Sequence, residues 1–310
     1  MKSKLIILLT VIILTFTIFL LVGLHNSAKK EVVQRFQSRQ LFTARQLSKE
    51  LETCLRDESR AVEILSTLPV LKNKKTDAAA KAVQEYFEYL KKDHVKSISI
   101  YDEKGTIIYS TLKDAIASDQ SDTKFFAWAA QRKNKGYQFI IEDVPQTFAQ
   151  SSKNSSFQVM IVAPVYGESP SNFIGLVSVV VDLDDILTSF FRADSSHISK
   201  ENAWLIDKDG TVLYQAEHPE MMMFNVHQQD ESCLECHTSF KYVETILAKP
   251  TGTTAYQLKE SSEKLSSFFT LNYKNISWKV VVNTPLNEVT DFVDKNSLQT
   301  VALIVVISLI

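Results

Sequence analysis

The residues best suited to chemistry lie together at Cys233-Leu234-Glu235-Cys236-His237. Two thiols spaced by two residues, with an imidazole directly after, match the attachment pattern of a c-type haem. Cys233 and Cys236 would add across the two porphyrin vinyl groups as thioethers. His237 would bond the iron from the same turn of chain. Three other readings compete for these side chains. In an oxidising compartment Cys233 and Cys236 can pair as a short disulfide or a redox dithiol. A structural zinc ion needs four ligands, and the motif supplies at most three, so His227 would have to complete the set. The last reading is a chance match in a surface loop.

A haem iron held by His237 leaves a sixth position to fill. Met221, Met222, Met223 and His227 all fall shortly before the motif, and the methionine triplet takes three of the five methionines in the chain. Methionine opposite histidine raises the iron's potential; a second histidine or an exchangeable site leaves it lower. Plain apolar packing is the other use of those methionines. Cys54, the third cysteine, falls on a helical stripe and reads as a small buried hydrophobe.

The elements that position these groups begin at the chain ends. Residues 5–24 carry no charge, and about 20 such positions cross a bilayer as a helix. The run exceeds the apolar core of about 7–15 residues in a secretory signal, so it reads as an uncleaved transmembrane helix. Lys2 and Lys4 favour a cytoplasmic N-terminus. Residues 298–310 read as the start of a second transmembrane helix, cut short. The chain between would be extracytoplasmic. A net charge of −2 offers no basic surface for nucleic acid.

Residues 28–70 form a stalk helix in this reading. Val33, Phe36, Gln40, Leu47, Leu51, Ala61 and Leu65 follow helical spacing, and no proline intervenes before Pro69. A shorter helix is predicted over 77–92. Strands at 95–100 and 106–110 flank the turn Asp102-Glu103-Lys104-Gly105, and three more strands are predicted at 137–144, 157–165 and 174–183. The pattern then recurs. Strands at 204–206 and 211–214 flank Asp207-Lys208-Asp209-Gly210, followed by strands at 252–258, 265–271 and 278–283. The two hairpins lie about 105 residues apart, which predicts two similar α+β modules in tandem. Glu217–Phe240 reads as a loop insertion carrying the cysteine motif.

From about Ala28 to Asn296 this arrangement resembles the double Cache family of extracytoplasmic sensor domains. The likeness rests on the long helix and the two Asp-x-x-Gly hairpins. It rests also on VAPVYGES at Val162–Ser169, FIGLVSVVVDLDDIL at Phe173–Leu187 and HPE at His218–Glu220. It implies PAS-like antiparallel sheets, with a membrane-distal module over 71–190 and a membrane-proximal one over 191–297. Family members are sensing parts of chemoreceptors, histidine kinases and cyclic-dinucleotide enzymes, and usually signal as homodimers. Many bind amino acids through an Arg, a Trp-Tyr pair and an Ala. The nearest stretch here is Lys124-Phe125-Phe126-Ala127-Trp128-Ala129-Ala130. Lys124 stands for the Arg and Phe126 for the Trp, while Ala127 replaces the Tyr and lysine lacks the guanidinium fork. Lys124, Phe126, Trp128 and Asp143 are therefore candidate pocket residues. The alternative makes Phe125, Phe126 and Trp128 module core, with Asp143 and Asp182 at strand ends.

The expectation is the sensor region of a receptor in a bacterial inner membrane, with its domain in the periplasm. It would carry one covalent haem c and read redox state or a diatomic gas such as O₂, NO or CO. A second possibility is a sensor of a small organic solute, with haem structural or absent. A third, an anchored electron-transfer cytochrome, suits a single haem motif in a chain this long poorly. No acid–base pair beside a nucleophile suggests catalysis.

Overall fold

Helix α1 runs unbroken from Lys2 to Thr67, 66 residues, or about 100 Å at 1.5 Å per residue. It ends where Leu68 precedes Pro69, because the residue before a proline is pushed out of helical geometry. The computed structural model describes residues 2–72, 76–90, 94–145, 147–148, 157–169, 172–193, 202–216, 219–227, 241–257 and 263–309. The buried stripe of α1 is Gln40, Ala44, Leu47, Leu51, Leu55, Glu58, Val62 and Leu65, a three–four alternation along one face. Cys54 lies beside this stripe rather than within it and is half-exposed. The expected stalk is therefore one helix with the apolar run before it. Among the described residues no helix is long and apolar enough to cross a membrane. The expected spans at 5–24 and 298–310 fall partly on side chains outside those residues.

After α1 come a single turn, α2 (Pro69–Lys72), and α3 (Thr76–Leu90). The first sheet is built from β1 (Val95–Asp102), β2 (Ile107–Ser110), β3 (Phe139–Ile141), β4 (Gln158–Tyr166) and β5 (Phe173–Asp182), in the order β2-β1-β5-β4-β3. Every neighbouring pair is antiparallel. Strands β4 and β5 are buried at almost every position, so both faces of the sheet are covered. Short helix α4 (Lys124–Ala129) lies between β2 and β3, and α5 (Leu183–Ala193) follows β5. The second sheet has β6 (Ala203–Asp207), β7 (Val212–Gln215), β8 (Thr251–Tyr256), β9 (Lys264–Tyr273) and β10 (Ile276–Pro285), in the order β7-β6-β10-β9-β8. Helix α6 (Lys241–Leu247) precedes β8, and α7 (Leu286–Leu309) follows β10. The sequence places the last helix at Leu298; the structure starts it at Leu286, directly after Pro285.

By contact the chain divides into two units, Arg45–Gln228 with Phe269–Val281, and Met1–Ala44 with Gln229–Phe268 and Val282–Ile310. The first unit holds the whole first sheet and the β6–β7 hairpin. One face of that sheet carries an aromatic core of Tyr101, Phe125, Phe126 and Phe148 around Met160, Leu176 and Val180. The turn between β9 and β10 belongs to this unit, and it closes the free edge of β3. Asn275 accepts from the Ile140 amide through Oδ1 and donates through Nδ2 to the Ile140 carbonyl, both at 2.9 Å. Lys274 donates to Gln138, and the Trp278 indole donates to Glu142 Oε1 at 3.1 Å. Edge-strand groups that would otherwise be open to other chains are thus occupied.

In the second unit, the anchor is polar. Gln40 of α1 is fully buried. Its Nε2 donates to the Leu265 carbonyl at 3.2 Å and to Thr284 Oγ1 at 3.1 Å, and its Oε1 accepts from Ser267 Oγ at 2.9 Å. Further along, α1 runs beside α7. His25 Nδ1 and Ser297 Oγ are 2.6 Å apart, and Lys29 and His25 both reach Asp294, at 3.3 Å each.

Candidate functional site

The two hairpins repeat atom for atom. In the first, Asp102 Oδ1 accepts from the amides of Lys104 and Thr106, both at 2.9 Å. In the second, Asp207 Oδ1 accepts from Asp209 at 2.8 Å and Thr211 at 2.7 Å. Gly105 and Gly210 take φ of +94° and +87°, the left-handed turn that glycine tolerates. The match continues beyond the turn. A 3₁₀ turn at Lys113–Ala115 corresponds to one at Pro219–Met221. Ala117, at φ +68°, donates to Ile107; Met223, at φ +64°, donates to Val212. Gln120 donates to Gly105, and Val226 to Gly210.

This repeat assigns places to four of the candidate ligands. Met221 and Met222 are half-buried, and Met223 is exposed in the left-handed turn that Ala117 occupies in the first module. His227 stands where the first module has Ser121. A Cβ on Gly210 would lie 2.8 Å from the His227 ring, just as one on Gly105 would lie 2.8 Å from Ser121. The imidazole thus rests on the hairpin turn. Pro219–His227 is therefore module architecture and not inserted chain, which corrects the boundary of the expected insertion. Cys233, Cys236 and His237 lie outside the described residues. Counted on from His227, Cys233 falls at the chain position of Ala127 in α4, and Cys236 and His237 at those of Ala130 and Gln131 just after it.

Helix α4 is started by Thr123, whose hydroxyl accepts from the Phe126 amide at 3.4 Å. That start sends Phe125, Phe126 and Ala129 into the core. Phe126 meets Phe173 edge-on at 5.8 Å, and half-buried Trp128 packs on Phe139 at 5.2 Å. Lys124 and Asp143 face solvent. The four residues picked as a pocket therefore split into two core aromatics and two surface charges. An amino acid would need charged groups converging on its carboxylate and ammonium, and this quartet does not supply them.

The buried carboxylates were less visible in sequence. Asp182, at the end of β5, is 5% exposed. It accepts from the Asp184 amide at 3.0 Å and pairs with Lys96 at 3.3 Å, while Lys96 also reaches Asp185 at 3.1 Å. Burial raises the Asp182 carboxyl above its ordinary value, against the pull of Lys96. Burial likewise raises Glu142, with Asp207 and Asp209 adding to the rise and the Trp278 hydrogen bond opposing it. A carboxyl raised in the fold binds its proton more tightly folded than unfolded. Its stabilising effect is present at low pH and fades as pH rises through the folded value. Glu142→Gln keeps an acceptor for Trp278 and removes the half-buried charge. We expect it to raise the thermal midpoint at pH 7 and to leave it near wild type at about pH 4, where both chains are neutral there. Equal effects at the two pH values would show that Glu142 is not charged in the fold at pH 7.

Compared with known proteins, the chain matches the Cache domain (dCache_1) over residues 24–292. It belongs to the Cache domain family. No curated protein matches the chain in sequence. Among solved structures, this Cache domain resembles the periplasmic sensory domain of the Campylobacter jejuni chemoreceptor Tlp1. That likeness has a TM-score of 0.62 at 10% identity, over 83% of this chain and 98% of that one. It also resembles the ligand-binding domain of the Pseudomonas aeruginosa PAO1 amino-acid chemoreceptor PctB in complex with L-Gln. There the TM-score is 0.58 at 12% identity, over 86% and 97% of the two chains. An extracellular ligand binding receptor from Desulfohalobium retbaense DSM5692 gives 0.56 at 15% identity. The match covers 79% of this chain but only 40% of that one. At these identities the likeness is one of fold. The expected tandem sheets and long first helix are those of a Cache sensor domain.

Proposed function

We propose that this chain is the extracytoplasmic sensing region of a bacterial transmembrane receptor, and that it reads a small diffusible solute. The observation that carries the reading is the Cache fold over 24–292, closed at one end by α1 and α7 side by side, joined through His25, Lys29, Asp294 and Ser297. In this reading α1 continues into an anchor at 5–24. Helix α7 continues through 298–310 toward an output module of the chemoreceptor or histidine-kinase kind. The receptor is a homodimer in the inner membrane.

A second reading rests on the Cys-x-x-Cys-His motif alone. Its donors suit a covalent haem c: two thiols for the thioethers at Cys233 and Cys236, and an imidazole at His237. Such a group supplies one-electron redox change or binding of O₂, NO or CO. Met221, Met222, Met223 and His227 would be candidates for a further ligand to such a group, and each already serves the module turn described above.

One preparation tests both readings. The whole chain and its Cys233→Ala/Cys236→Ala variant are produced with c-type cytochrome maturation. Each is heated with a panel of small solutes, and absorption is recorded before and after denaturation. Under the first reading, one solute raises the midpoint in both proteins; at a hundredfold excess over Kd the gain is about 2.7 kcal/mol. Under the second, a Soret band persists through denaturation and disappears in the variant. A folded, colourless wild type ends the haem reading. A coloured protein that no solute stabilises ends the first.

A further inference from the structure

The solute-sensing reading leaves open where the solute sits. A cavity of ≈ 300 Å³ lies elsewhere in the Arg45–Gln228 unit, between α2–α3 and the first sheet. Its walls are Leu71, Ala79, Ile100, Ile108, Val165 and Ile174, with the turn at Asp102–Glu103 at its rim. Along β1 and β4, Ile100 and Val165 alternate with the core residues Tyr101 and Val162. They therefore point to the face away from the aromatic core. Leu71, Ala79, Ile100, Val165 and Ile174 are each under a tenth exposed, whereas Ile108 is 42% exposed and marks the mouth.

Protein interiors hold few voids larger than a water molecule. An apolar void of this size forfeits contacts on every wall unless something fills it. Cavities lined by aliphatic side chains stay dry and take apolar guests, and one of about 150 Å³ holds benzene. Among the described residues no basic side chain lines this cavity. Asp102, the acid at its rim, already accepts two backbone amides through Oδ1. Nothing on the walls is placed to hold the carboxylate of an amino acid.

We propose that this cavity binds a small uncharged apolar solute, of the size of one or two aromatic rings. The proposal rests on the solute-sensing reading and names its ligand class. Its position gives the ligand direct purchase on α2 and α3, which follow α1 in the chain.

The test uses the whole chain in lipid nanodiscs, with naphthalene as probe in equilibrium dialysis against empty nanodiscs. Saturable uptake near one per chain is expected. Ala79→Leu fills the cavity; it should weaken uptake at least tenfold and raise the unfolding midpoint without ligand. Ile108→Trp, at the exposed mouth, keeps the test valid if Ala79→Leu fails to fold, and it should weaken uptake as well. Uptake that is unsaturable, or unchanged in the folded variants, overturns the proposal. If L-glutamine stabilises wild type and variants alike while naphthalene does nothing, the cavity assignment falls and solute sensing stands. If no solute of either kind stabilises the wild type, both fall.

Discussion

Gly175→Ala is expected to destabilise the first unit by about 4 kcal/mol, summing backbone strain and overpacking. Gly175 sits in β5 at φ +143°, opposite Asp102 of β1 and Val165 of β4. A Cβ there would lie 1.9 Å from the Tyr101 carbonyl oxygen. That oxygen is backbone in a central strand, so relief requires β1 and β5 to separate where they pair. The control is Gly136→Ala. Gly136 also has positive φ, +81°, but nothing stands within 4 Å of its added Cβ. It should lose only about 1 kcal/mol, the cost of the backbone conformation. Denaturant unfolding of both variants separates strain from collision, and equal losses would refute the collision.

Trp278→Ala should rank beside it, at about 4 kcal/mol. Trp278 is fully buried in β10. Its ring meets Phe157 edge-on at 5.5 Å, and Phe157 in turn packs on Tyr214 at 6.0 Å. The indole also gives Glu142 its hydrogen bond. Trp278→Phe separates the two contributions, since it keeps much of the ring and loses the donor. It should cost about 1–2 kcal/mol. If the phenylalanine variant lost as much as the alanine one, the hydrogen bond would outweigh the packing.

Much of this fold was readable from residue order. Asp102, Gly105, Asp207 and Gly210 announced both hairpins because aspartate and glycine have side-chain reasons to turn. Pro69 marked the end of α1. The second turn of each repeat escaped notice because Ala117 and Met223 reach positive φ without being glycine. Backbone hydrogen bonds to Ile107 and Val212 tie them there. The start of α7 carried a usable signal, Pro285 just before it and Glu288 in its first turn, but the apolar run from Leu298 drew attention away. Strand order was not legible, since β1 reaches β5 across most of a module. For the site, Lys124 and Asp143 matched expected residue types, yet type does not tell which way a side chain faces. The cavity beside Ala79 had no sequence mark at all, because its lining residues are ordinary apolar residues scattered over six elements.

The buried amide of Gln40 has a mechanical meaning. Moving α1 by one helical turn, about 5.4 Å, would strip Leu265, Ser267 and Thr284 of their common partner and leave buried polar groups unsatisfied. Helix α1 is pinned at that one position as a shaft is pinned by a key. Its polar contacts to α7, by contrast, are partly solvated ion pairs and a hydroxyl, which can exchange with water at little loss. Thr284, the next-to-last residue of β10, shares that key, so α7, which starts at Leu286, is referenced to the same buried amide.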